Sequence, residues 1–152
     1  MTQTTNAGGA GDAVIQYSIN GSTWVDMGGW ASSATFDSWD RATGSANTLT
    51  GDEAIIGFGK LAITGAAVNS VYSDGDAADL IDTLWAQHIA AGGGTLMIRY
   101  SPQGTASGKT SLTTNSDAKI DSLTLPDFDA SSGDPLVMSF HVSTSGFDKG
   151  TN

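Results

Sequence analysis

The chain has no cysteine, which excludes a disulfide framework and any thiolate-bound metal. It is also short of positive charge: six lysines and arginines face sixteen acids, for a net charge of −10. Stable nucleic-acid binding needs a basic patch that displaces counterions from phosphate, so that function class is set aside. An acidic surface is still compatible with DNA sliding past without sticking. Glutamate is nearly absent, since Glu53 is the single example and every other acid is aspartate. Aspartate suits turns and caps better than helix interiors. No apolar run approaches the length of a membrane helix. The opening MTQTTNAGGAGD has neither the basic start nor the apolar run of a secretory signal, so any exit from the cell is expected by another route, such as lysis.

What is present is a chain of 152 residues, 39% hydrophobic, a length that suits one domain with a real core. One stretch reads as a helix. In DAADLIDTLWAQHIAA, residues 76–91, the side chains of Ala77, Leu80, Ile81, Leu84, Trp85, His88 and Ile89 fall at helical spacing and form one stripe. Asp76 can cap the first turn, and Asp79 sits near the positive end of the dipole. Gly92, Gly93 and Gly94 accept the conformation a helix end requires. A lone amphipathic helix must bury its stripe on a sheet.

The remainder reads as strands and turns. Strands are expected at 13–19 and 23–27, joined by an Asn20-Gly21 hairpin turn, then at 34–40, 54–68, 95–100, 118–125 and 136–143. The apolar TLMIRY segment suits a central position. Leu136, Met138, Phe140 and Val142 alternate with Val137, Ser139 and His141, a half-buried pattern. Residues 1–12 read as a flexible arm and 147–152 as a short free tail around a single domain, 13–146. Residues 41–53, RATGSANTLTGDE, read as a long inter-strand loop, either a surface hairpin tip or an arm that orders against another subunit. The expected fold class is mainly β, a β-sandwich or partly open barrel with one flanking helix.

No catalytic, cofactor or metal site is expected. His88 lies on the helix stripe and reads as a buried imidazole; His141 points outward from a strand. Neither has the spacing of a zinc site. No serine sits in a nucleophile elbow, and GGAGD, GFGK and AAGGGT do not fit a phosphate loop. Asp74-Gly75-Asp76 reads as a cap before the helix rather than a calcium loop, and Asp127, Asp129 and Asp134 as a solvated turn. Trp85 is assigned to the core. Trp24, Trp30 and Trp39 are assigned to core or subunit contacts, the alternative being a sugar-stacking face on a carbohydrate-binding or adhesin-type module.

The order SINGSTWVDMGGW, FDSWDRATG, the long loop, TGDEAIIGFGKLAITG, the helix after YSDGD, MIRYSPQGTASGK and a final alternating strand resembles the major tail tube protein of long, non-contractile-tailed bacteriophages. The resemblance implies a β-sandwich with one flanking helix, six copies to a ring, and rings stacked into a tube around a tape measure protein. Tail tip and terminator proteins would be further partners, and DNA would pass through the bore without specific binding. No membrane is implied. Subunits and rings would be bridged by the terminal arms and by the 41–53 loop, with Arg41, Asn47, Thr48, Leu49, Asp52 and Glu53 in contact. Asp26, Asp37 and Asp40 are candidates for the acidic wall of the bore.

Overall fold

The structure is a computed structural model that describes residues 10–49, 51, 53–72, 76–127, 129, 131 and 133–152. Its strands are β1 (Val14–Ser18), β2 (Val25–Asp26), β3 (Ala31–Phe36), β4 (Arg41–Ala46), β5 (Ile55–Leu61), β6 (Thr64–Val71), β7 (Met97–Ser101), β8 (Thr110–Thr114), β9 (Lys119–Thr124), β10 (Val137–Thr144) and β11 (Phe147–Thr151). Among the described residues a single α-helix, α1 (Asp76–Ile89), lies between β6 and β7. One sheet runs β11-β8-β7-β1-β2, a second β3-β6-β10-β9, and a two-stranded sheet pairs β4 with β5. All pairings are antiparallel. The molecule is mainly β, a sandwich with one helix, as the sequence pattern implied.

Alternation builds the core. Met138, Phe140 and Val142 of β10 turn inward with Val68 and Ile120, and meet Ile15, Tyr17 and Ile98 from the facing sheet. Strand side chains alternate between faces, so each inward residue is followed by one that faces solvent. The TLMIRY strand is central, flanked by β1 and β8. Between β1 and β2, Gly21 has φ 73°, and the Asn20 side-chain oxygen accepts hydrogen bonds from the Ser22 and Thr23 amides.

The helix closes the core beside β9 with a narrower stripe than its periodicity suggests. Leu80 and Leu84 are fully buried, whereas Trp85 is 49% and Ile89 63% exposed, and His88 is exposed too. The buried assignments of Trp85 and His88 are therefore corrected. The predicted stripe describes an arc wider than one sheet edge can cover: among the described side chains Leu80 and Leu84 are buried in the core and Ile81 packs against it, while Trp85, His88 and Ile89 are exposed. Gly92 and Gly93 adopt φ 78° and 77°, and the Lys119 amine donates to the Gly92 carbonyl at the negative end of the helix dipole. The caps assigned to the Asp76 and Asp79 side chains, and Asp74-Gly75, lie outside the described residues.

Three further expectations are revised. The expected single strand at 54–68 is interrupted at Ala62 and Ile63, which divide β5 from β6. Residues 41–46, read as loop, form β4 and pair with β5 from Arg41↔Leu61 to Ala46↔Ile55. Residues 147–151, read as a free tail, form β11 on the edge strand β8, from Phe147↔Thr114 to Thr151↔Thr110. Both segments are exposed over most of their length; with neither face buried, no apolar alternation marks them. Of the N-terminal arm, Ala10–Asp12 forms a 3-10 turn, and residues 1–9 lie outside the described residues.

Candidate assembly surface

Two antiparallel pairs follow one another along the chain. Strand β3 pairs with β6 inside the sandwich, and their continuations β4 and β5 pair with each other beyond it. The result is one long ribbon whose far half stands outside the body. Its root is the Asp37–Asp40 segment against Ala62 and Ile63. Here the Asp37 amide donates to the Gly65 carbonyl at 3.0 Å and the Ala62 amide to the Asp40 carbonyl at 2.8 Å.

Two side-chain contacts fix that root. On one side His141 of β10 sits between two carboxylates, with Nδ1 2.6 Å from Asp121 and Nε2 2.9 Å from Asp37. Burial works against the charged imidazole, but hydrogen bonds and charge from Asp121 and Asp37 outweigh it, and the pKa of His141 is raised. Burial pushes Asp121 up, yet the bonds from Ser143 and His141 leave its pKa lowered. Gly65 makes room for this arrangement: a Cβ there would lie 2.3 Å from the Val142 carbonyl and 2.7 Å from the imidazole. Ser143 donates to Asp121 rather than to His141, so the three groups lack the serine-to-imidazole bond of an acyl-transfer triad.

On the other side Trp39 lies edge-on to Phe147, with ring centroids 6.2 Å apart, and Phe147 stands 5.9 Å from Phe36, itself 5.0 Å from Tyr100. This aromatic row links the ribbon root to the edge of the facing sheet. A Cβ on Gly146 would fall 2.6 Å from the Trp39 ring, so the turn before β11 admits the indole because it carries no side chain. Phe36, Asp37, Trp39, Leu112, Phe147 and Lys149 line an open, mainly apolar cavity of about 240 Å³.

Beyond the root the ribbon is apolar and uncovered. Ile55, Ile56 and Phe58 are 61%, 62% and 71% exposed, and Leu49 at the tip is fully exposed. Such a run of uncovered apolar side chains on one element marks an interaction surface.

The structure collects Asn47, Thr48, Leu49 and Glu53 at the ribbon tip, all exposed. Arg41 lies at the root and donates to the Gly59 carbonyl at 3.1 Å, within the ribbon. Asp52 lies outside the described residues. Asp26, on β2, accepts a hydrogen bond from the Gly28 amide at 2.7 Å, whereas Asp37 and Asp40 belong to the ribbon root. The three acids therefore divide between the edge of one sheet and the end of the other. Trp24 lies beneath the Arg99 guanidinium at 4.4 Å, which covers one face of its ring. Trp30 packs against the core. Asp129 accepts from Ser131 within a local turn, and no group of three potential metal ligands occurs among the described residues. The His141 cluster escaped the sequence reading. The outward direction of His141 was legible in the strand pattern, but its partners are 20 and 104 residues distant.

No protein-family model matches the sequence, and no curated protein matches it. Solved structures do match. A chain in the anti-feeding prophage cap, the cap that terminates the tube, aligns with a TM-score of 0.75 at 17% identity, over 100% of this chain and 96% of that one. A chain in the sheath–tube complex of the PVC extracellular contractile injection system, in its extended state, gives 0.70 at 17% identity, over 92% and 88%. The SPP1 tail tube gives 0.61 at 15% identity, over 93% and 77%.

The chain has the tail-tube fold. In this chain the sandwich and helix hold the core, and the β4–β5 ribbon projects from it with its side chains exposed. The expected kinship in fold with tail tube proteins is thereby met, and it extends to contractile systems as well as to a phage tail tube.

Proposed function

We propose that the protein is a structural, non-catalytic subunit of a tail tube in a virion or a related injection particle. The observation that carries this reading is the β4–β5 ribbon: a two-stranded extension with uncovered apolar side chains, on a fold otherwise seen in tube assemblies. An isolated two-stranded ribbon is marginal in water, and its exposed residues gain stability when a neighbouring copy covers them.

Edges supply the second contact. Among the described strands β3 pairs with β6 alone, and β11 and β2 end the larger sheet. Free edges invite aggregation unless they are covered, and joining them around a ring closes a larger barrel. Head-to-tail contacts that close give rings, and repetition along the axis gives a tube. In this reading six copies form a ring, the rings stack around a tape measure protein, and tip and terminator proteins bound the tube. Subunits assemble in the host cytoplasm, and DNA leaves through the bore without specific binding. Asp26, Asp37 and Asp40 are assigned to the bore wall, where negative charge limits adhesion of phosphate. The ribbon tip, with Asn47, Thr48, Leu49, Asp52 and Glu53, bridges to the next subunit, as does the N-terminal arm, residues 1–12.

Negative-stain electron microscopy of the purified protein across a concentration series tests the proposal. Hollow tubes or rings are expected at high concentration. A monomer at every concentration, even with preformed tube ends added as seeds, would count against it.

A further inference from the structure

We propose that the aromatic cavity at the ribbon root is the seat for the ribbon tip of a second copy, with Leu49 inserted and Glu53 paired to Lys149. This rests on the tube reading and adds to it a specific knob and a specific hole.

The hole has apolar walls: Phe36, Trp39, Leu112 and Phe147. Its rim carries two charges, Asp37 and Lys149. Asp37 is already engaged by His141, while Lys149 is exposed and makes no ion pair with the described residues. The cavity therefore offers an apolar interior and one free positive charge. On a chain of net charge −10, that combination selects an occupant that is apolar and acidic together.

The tip has that character. Leu49 is 107% exposed, the highest value among the exposed large hydrophobic residues, and Glu53 is exposed four positions on. Ile55, Ile56 and Phe58 are exposed as well, but they lie along β5, Ile55 on one face of the ribbon and Ile56 with Phe58 on the other. A concave site accepts a side chain projecting from a turn.

The occupant belongs to another copy for a geometric reason. The cavity is at the root of the ribbon and Leu49 is at its end. Six extended residues of β4, paired along β5, separate them by roughly 20 Å. The pairing holds the ribbon extended, so its own tip cannot fold back into its own root. A knob and a hole on different parts of one surface make a heterologous contact, which propagates around a ring or along a filament.

The absence of native cysteine makes a direct test simple. Glu53→Cys/Lys149→Cys leaves Leu49 and the aromatic walls intact. On mild oxidation under assembly conditions, the double variant is expected to form a covalent ladder extending beyond dimers, while each single variant stops at dimers. Tubes without the ladder would overturn the docking and leave the tube reading standing. Neither tubes nor ladder at concentrations well above the roughly tenfold higher threshold expected once this charge pair is lost, with the monomer folded by circular dichroism, would overturn both. As a second arm, Lys149→Glu is expected to raise the concentration needed for assembly by about tenfold, and Lys149→Glu/Glu53→Lys to restore it. Failure of the swap to restore assembly would overturn the assigned pair.

Discussion

His141 Nε2 lies 2.9 Å from the Asp37 carboxylate, a contact between residues 104 positions apart. It ties the point where the ribbon leaves the sandwich to the strand at the centre of the core. Asp121 holds the opposite ring nitrogen at 2.6 Å, so both imidazole nitrogens face acceptors, an arrangement that suits the doubly protonated ring.

That geometry sets a pH dependence. The pKa of His141 is raised in the fold, so its contribution is fully present below the unfolded value of about 6.5 and is lost as pH rises through the folded value. Asp121 is lowered, so its contribution is present above the ordinary aspartate range and is lost as pH falls through the depressed value. His141→Gln is expected to cost about 1 kcal/mol near pH 6, the scale of a partly exposed ion pair. The difference in melting temperature between wild type and variant should shrink at pH 9. A difference that stays constant from pH 6 to pH 9 would show that the ring acts only by packing.

Gly65→Ala is expected to damage both the ribbon root and the β6–β10 pairing. Its Cβ would lie 2.3 Å from the Val142 carbonyl, which is backbone and cannot swing aside. A cost of about 2–3 kcal/mol follows from overpacking of this kind, measured by denaturant unfolding. The His141 ring resonances should shift in the same variant, since the new methyl also meets the imidazole.

The two sides of α1 should respond differently. Leu84→Ala removes a fully buried side chain and is expected to cost about 2–5 kcal/mol. Ile89→Ser changes a residue that is 63% exposed and should stay within about 0.5 kcal/mol. Equal losses would restore the broad stripe that the sequence suggests.

Replacing residues 47–53 by a short Asn-Gly turn should leave the monomer intact. None of the described tip residues belongs to the hydrophobic core, so the melting temperature is expected to move by no more than about 2 °C. Tubes should disappear from micrographs of the same preparation. Normal tubes from this variant would show that contacts elsewhere suffice.

Legibility followed burial. Strand β10 was readable because Met138, Phe140 and Val142 are buried while their neighbours are more open. Strands β4 and β11 were not, since each is held by backbone pairing while most of its side chains face solvent. The helix was found, but the width of its buried face was overestimated, because periodicity gives a direction and the neighbouring sheet decides how much of it is covered. The ribbon tip was legible as a long polar interruption, whereas its receiving cavity combines residues from β3, β8, β11 and the ribbon root.

The sequence by itself determined the mainly β class, the single helix and its glycine end, the central TLMIRY strand and the acidic surface. These depend on local propensity, periodicity and composition, all present in short windows. Only the tertiary structure decided that β4 and β5 form a projecting ribbon, that His141 joins Asp37 to Asp121, and that Trp39 and Phe147 frame a cavity. Each of these needs segments distant in the chain to meet, and their meeting is set by sheet register and by the space that Gly65 and Gly146 leave open.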